Sequence, residues 1–521
     1  MPRGNTPDSI KNVIVTLIRA QPLIILPRGY PSQTMPTTRQ FASSLRVRNR
    51  VFDRSLNRPN VISNHVFLNL STFVTASLRA ARQQPVACLL LVMTALKVVA
   101  IYVYVPPSAT LLDVGFGFAP YVQSLITNGH FAACDYSVCD YARRMPGVPY
   151  FLFILSFFTD GLRTAALIKA IALSGLLWLS YKNVAAYFLV HSVMLRRVLF
   201  SLVAFLALSP NLVKHAAMVD YEEGYVLELL AAATTSTMFL VASNFKTSSA
   251  LRYAAPIIAV SIAYLFKSSM VVIWVVTSSL VVCLALTAAR LKLASGLIAL
   301  ALAAPSGWLL HNWTQGGKAT IMSSYDGENA FRGWNVHTLD LYPDCTLDLL
   351  FQPISICGLR TMQFPAEPRR ADFATEWEWN DRYAQRARDW VINHQSEALK
   401  ILGVKLYTVF LSVRIVPHYR VTDGANDTIR TRVEEWLSGL WLSLGRALEI
   451  VWLAVIGFLI CFGDTRARRL AFTSLVIPLG YALPYVVGFG YERHFSLLIM
   501  LVTIGLIFSL PEAARLRSTK K

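Results

Sequence analysis

Apolar residues in this chain gather into long blocks, and polar residues fall between them. A block of about 20 apolar residues is long enough to cross a bilayer as a helix. The first covers 86–105 ("VACLLLVMTALKVVAIYVYV"). A second covers about 149–179 and is broken by "TDGLR". The run "VLFSLVAFLALSP" returns across the membrane and ends at Pro210. Residues 224–243 make the next crossing, 253–289 read as a hairpin turning near Lys267, and 293–310 make another. The polar stretch 311–395 is too long for a plain loop and predicts a turn-rich platform with small helices of its own. Apolar blocks resume at 398–415, 445–463, 470–488 and 494–510. The pattern predicts an all-α polytopic membrane protein with about 10–11 transmembrane helices.

Basic residues orient the blocks, because cytoplasmic loops are enriched in Lys and Arg. Arg79 and Arg82 precede the first block and place the amino terminus in the cytoplasm. Lys182, Arg196 and Arg197, then Lys246 and Arg252, then Arg290 and Lys292, mark the later inner connections, and so does "DTRARR" at 464–469. With both 293–310 and 445–463 fixed by their flanks, a full crossing at 398–415 breaks the parity. That stretch is expected to lie along the outer interface or to re-enter, which suits its mixture of Lys, Arg and apolar residues. The resulting map has a basic tail at 1–60, a transmembrane module at 61–310 with an outer loop at 107–148, and an outer platform and interfacial helix at 311–417. Carboxy-terminal spans at 418–510 and a cytoplasmic tail at 511–521 complete it.

Composition agrees with the pattern. Of the 521 residues 55% are hydrophobic and only 15% charged, against about 25% charged in soluble proteins. That argues against a set of soluble cores. The net charge of +19 sits in the amino-terminal tail and the short connections, as expected for contact with an anionic leaflet. No nucleic-acid motif accompanies it, so no nucleic-acid partner is expected. The tail lacks the parts of a signal peptide; a later start at Met35 and an organellar transit peptide are the other readings of it. Cys88, Cys283 and Cys461 fall in apolar blocks, whereas Cys134, Cys139, Cys345 and Cys357 fall outside. An even number of outer cysteines suggests disulfides, locally Cys134–Cys139 and Cys345–Cys357, with free thiols as the alternative.

Three charged groups sit where blocks meet the outer face: Asp113, "DYEEGY" at 220–225 and "YERHF" at 491–495. Charges this close to lipid are costly and tend to mark function. The outer loop adds Tyr121, Gly129 and "RMPGVP" at 144–149. Pro210 precedes Glu222 and Glu223 by about a dozen residues, the platform carries "GENAFRGWNVHTLDLYP", and "AQRARDWVINHQSEALKILGVKL" and Arg493-His494 follow. In order and spacing these resemble the GT-C superfamily of polytopic glycosyltransferases. The resemblance is to the branch of protein O-mannosyltransferases, lipid A aminoarabinose transferases and bacterial lipopolysaccharide glycosyltransferases. Trp334 stands where that branch has Asn, and Gln395 where Pro is usual.

The resemblance implies a GT-C-like fold in the inner (plasma) membrane, with an outward-facing active site. A sugar on a polyprenyl phosphate or diphosphate would pass, with inversion, to a hydroxyl of an outer-face glycan, lipid or protein. It implies Asp113 as general base, and Arg143, Arg144, Arg493 and Lys267 as ligands of the donor phosphate, since guanidinium forks suit phosphate oxygens. Glu222 and Glu223 would orient Arg144 or hold Mg2+ or Mn2+; metal dependence stays open. His337 and His494 are further possible ligands, and Asp135, Asp140 and Asp220 second-rank acids. Tyr121, Tyr141 and Trp334 are the expected sugar or acceptor contacts, with Tyr136 and Tyr342 as further stacking rings. The alternatives are a lipid-linked sugar flippase or transporter, favoured by Lys97 and Lys169 within apolar blocks, and a polysaccharide polymerase or ligase.

Overall fold

The computed structural model describes residues 85–115, 117–135, 138–188, 193–219, 221–243, 249–341, 370–411, 429–488, 490 and 492–519. The basic tail, Tyr136, Asp220, Tyr342, Cys345 and Cys357 lie outside them, as do the side chains of Asp135 and Arg493.

Helices dominate because the apolar blocks leave their own backbone as the available hydrogen-bonding partner. In chain order they are α1 (Pro85–Tyr104), α2 (Ala119–Asn128), α3 (Gly147–Ser156), α4 (Leu162–Phe188), α5 (Val193–Ala207), α6 (Pro210–Ala217) and α7 (Glu223–Ala242). Then come α8 (Ala250–Phe266), α9 (Val271–Thr287), α10 (Leu291–Gly316), α11 (Asp326–Gly333), α12 (Thr338–Leu341) and α13 (Glu376–Asn393). The last four are α14 (Gln395–Phe410), α15 (Ile429–Phe462), α16 (Thr465–Val487) and α17 (Glu492–Thr519).

Seven stretches of the described residues are long and apolar enough to cross a membrane: Val86–Tyr104, Glu223–Ala242, Ser268–Thr287, Leu291–Gly316, Trp436–Phe462, Thr465–Val487 and His494–Ser518. The protein is therefore an α-helical polytopic membrane protein. Seven is fewer than the count expected from the blocks. The apolar run after Pro149 is divided, so α3 is only 10 residues long, and α8 stops after 17. In α4, side chains beyond Trp178 lie outside the described residues.

The turn near Lys267 is present. Lys267 leaves the helical region (φ −152°, ψ 122°), and a 3-10 turn, Ser268–Met270, leads into α9. Helix α7 is central, packing against α4, α6, α8, α9, α16 and α17. Its span is 89% buried and that of α17 83%, against 28% for α1. The outer helices thus present apolar side chains to lipid, where exposure costs nothing. Charges inside this bundle are paired. Lys97 of α1 forms an ion pair with Glu228 of α7 and contacts Ser174 of α4. Lys169 donates to the Met218 carbonyl (2.8 Å) and lies over the Tyr225 ring.

Two features of the polar segments were not legible as periodicity. Ala133–Asp135 (β1) and Val138–Asp140 (β2) pair antiparallel, with Cys134 opposite Cys139; these cysteines form the expected local disulfide. In the platform, α11 crosses α13 closely. A Cβ on Gly327 would stand 2.0 Å from the Asn380 carbonyl oxygen, and one on Gly333 2.2 Å from that of Gly488. The two glycines of "GENAFRG" are needed for backbone approach.

Candidate functional site

A cavity of about 740 Å³ opens where these pieces meet. Its floor is the turn into α9 (Lys267, Ser268, Ser269) and the end of α16 (Leu483 to Gly488). Its walls are Arg143–Met145 of the loop before α3, Asp326 to Trp334 around α11, and one face of α13. That face carries Ala384, Ala387, Arg388, Val391 and Ile392, the three- and four-residue spacing of a helical stripe. Glu222 and His494 complete the lining.

The lining divides into two chemistries. One is cationic: Arg143, Arg144, Lys267, Arg332 and Arg388, against the carboxylates Glu222 and Asp326. The amino end of α9 also lines the cavity, and a helix amino terminus carries positive potential. The other is apolar: Val271 and Val272, Leu483 and Pro484, Val391 and Ile392.

The cations differ in what holds them. Arg143 is paired with Glu328 (3.5 Å) and Asp140 (3.6 Å). Burial raises the Glu328 pKa, and the Arg143 charge opposes that rise. Lys267 is paired with Glu223, with Glu222 at 3.8 Å, and stands 3.1 Å from His494 Nε2. His494 also contacts Glu223 at 3.0 Å, and its ring stacks on Tyr485. Arg144 is different. Its guanidinium lies over the rings of Phe118 (5.3 Å) and Tyr325 (5.0 Å) and forms no ion pair among the described residues, though its charge reaches Glu328. Aromatic faces hold a planar cation without neutralising it.

The loop carrying the two arginines is anchored from the platform. Glu376, the first residue of α13, accepts the backbone N–H groups of Tyr141 (2.8 Å) and Ala142 (3.0 Å) and the Ser324 hydroxyl. The Ser324 N–H donates to the Ala142 carbonyl (2.9 Å), and Arg370 grips Asp140 (2.8 Å). Replacing Glu376 by Ala leaves three buried donors unmet, with an expected loss of roughly 2–4 kcal/mol in stability. Thermal unfolding in detergent reads it; an unchanged midpoint contradicts the anchoring role.

The structure thus brings together Arg143, Arg144, Lys267, Glu222, Trp334 and His494. Trp334 packs its ring 3.7 Å from the Lys405 ammonium, which is held by the Gly488 carbonyl. Glu223 sits buried just behind, on Lys267. Neither glutamate is turned to Arg144 by any contact described. Tyr121 is 1% exposed, its ring tilted against Phe131, and lies in the core rather than in the cavity lining. Tyr141 does not line the cavity; its carbonyl contacts His311 Nε2 at 3.0 Å.

Asp113 is exposed and does not line the cavity either. Its Oδ2 accepts the backbone N–H (2.7 Å) and hydroxyl (2.9 Å) of Thr110, which hold its pKa below the usual carboxylate value. The Lys267 ammonium lies against both Glu222 and Glu223. Among the described residues no group of three or more His, Cys, Asp or Glu side chains is placed to hold a metal. Sequence reasoning missed Asp326, Arg332 and Arg388. Arg332 and Arg388 lie within the motifs "GENAFRG" and "AQRARDW", Asp326 stands just before the first of them, and the α13 stripe would have flagged Arg388.

Comparison with known proteins finds no matching family model, no similar curated protein and no similar solved structure.

Proposed function

We propose that the protein is a membrane glycosyltransferase of GT-C type, moving a sugar from a polyprenyl phosphate or diphosphate to a hydroxyl of an outer-face glycan, lipid or protein. The observation that carries this reading is the pairing of a guanidinium held by aromatic rings rather than by an ion pair, Arg144, with an apolar wall in one cavity at the end of two membrane spans. A lipid-linked sugar phosphate is anionic at one point, hydrophilic on one side of it and greasy on the other. The cationic half of the cavity suits the phosphate, the α9–α16 side suits the first isoprene units, and the volume accepts a sugar ring.

On this reading Arg144 holds the phosphate by its fork, and Lys267, Arg388 and the amino end of α9 stabilise charge on the leaving oxygen. Phosphate is already a good leaving group, so the reaction needs a base for the acceptor and no general acid of the kind glycosidases use. One direct displacement inverts the anomeric carbon. Of the residues that favoured a transporter, Lys97 is ion-paired with Glu228 and Lys169 donates to the Met218 carbonyl.

The test uses the protein in lipid nanodiscs with polyprenyl phosphates carrying radiolabelled hexoses or pentoses. Release or transfer of sugar with inverted anomeric configuration is expected. Saturable movement of intact lipid-linked sugar across the bilayer, with no sugar released, would instead establish a flippase.

A further inference from the structure

Two carboxylates line the cavity among the described residues, Glu222 and Asp326. Glu222 has the Lys267 ammonium 3.8 Å away. Asp326 has no cation on it among the described residues. Its Oδ1 accepts the Ser268 hydroxyl (2.9 Å), and its Oδ2 accepts the Ser323 backbone N–H (2.9 Å) and hydroxyl (3.0 Å). We propose that Asp326 is the catalytic base of the site, the carboxylate that takes the proton from the acceptor hydroxyl. This rests on the glycosyltransferase reading above and assigns within it a role that the sequence had placed on Asp113.

Three features fit Asp326 to that task. It is fixed from two sides, by the turn that enters α9 and by the turn that opens α11, so the reacting oxygen is held in place before substrate arrives. A carboxylate offers about four lone-pair sites, and the three hydrogen bonds leave one to receive the acceptor hydroxyl. It shares the cavity wall with Arg144 and Lys267, so phosphate, anomeric carbon and acceptor fit in one space. Burial raises its pKa above the usual carboxylate value, against the opposing hydrogen bonds of the two serines. A base with a raised pKa accepts a proton more readily. Asp113 has the opposite properties: it is solvated, and both Thr110 donors stabilise its anion.

The step balances without a further reagent. The acceptor oxygen forms a bond to the anomeric carbon, and the bond from that carbon to the phosphate oxygen breaks. The electron pair of the broken bond leaves on the polyprenyl phosphate. The hydroxyl proton moves to Asp326 and passes to water once the product departs.

The experiment compares Asp326→Asn with Asp113→Asn in nanodiscs, using a panel of radiolabelled hexosyl and pentosyl polyprenyl phosphates with water as the acceptor. Sugar release and equilibrium binding of the donor are read together. Asp326→Asn is expected to slow release by about 10²–10⁴-fold while binding stays intact, and Asp113→Asn to lose less. Asp326→Glu, which keeps a carboxylate, is expected to regain about tenfold over the Asn variant. Release by Asp326→Asn at the wild-type rate overturns the assignment. So do equal rates for the Asn and Glu variants, or a larger loss at Asp113. A wild-type protein that binds and releases nothing from the panel overturns the glycosyltransferase reading itself, independently of either variant.

Discussion

Replacing Arg144 by Ala is expected to weaken binding of a polyprenyl phosphate by roughly 10²-fold, equivalent to about 3 kcal/mol. The size follows from its surroundings. The guanidinium is held by two aromatic faces and forms no ion pair among the described residues, so its hydrogen-bonding fork is open to a ligand phosphate. Two charge-assisted hydrogen bonds vanish with it. Arg144→Lys restores charge but neither the fork nor the flat stack, and is expected to recover only part of the loss. Protein stability should change little, since no buried group is left unpaired. The neighbouring substitution behaves differently. Arg143→Ala strips the cation from Glu328, which is 0% exposed, and its cost falls on folding. Isothermal titration with detergent-solubilised polyprenyl phosphate, alongside melting curves, separates the two. Equal affinity for wild type and Arg144→Ala removes Arg144 from the site.

Lys97→Met is expected to cost about 3–5 kcal/mol in stability, because it leaves Glu228 charged and unpaired inside the bundle. Both side chains are 1% exposed. The pair joins α1 to α7, the helix whose first turn carries Glu223, so the loss reaches the cavity through the position of that turn. Lys97→Met combined with Glu228→Leu removes both charges and is expected to recover most of the stability. Denaturant unfolding of the three variants reads the cycle. A single variant as stable as wild type would show that the ion pair holds nothing, and a double variant no better than the single would point to packing rather than charge.

The membrane class and most span positions were legible because a 20-residue apolar helix is a long, redundant signal. The hairpin at Lys267 was legible for a related reason, since a lone Lys between two apolar runs marks their junction. The cavity was only half legible. Arg143, Arg144, Lys267, Glu222 and Trp334 sit next to recognisable landmarks. Asp326 does not: it reads as an ordinary helix-opening acid in a polar segment, and only the approach of Ser268 from a distant turn makes it part of the site. Tyr121 reads as accessible from the sequence because it is an aromatic in a connection between apolar blocks, whereas α2 turns it onto Phe131. The roles of Gly327 and Gly333 depend on which backbones cross, and no local pattern encodes that.

The central claim is that the cavity recognises the phosphate of a prenyl lipid. The most direct measurement is the affinity of the nanodisc-embedded protein for a polyprenyl phosphate against the uncharged polyprenol of the same length. The cationic wall predicts a preference for the phosphate of about 10²-fold, falling in the Arg144→Ala variant. Equal affinity for the two lipids, unchanged by Arg144→Ala, would contradict it.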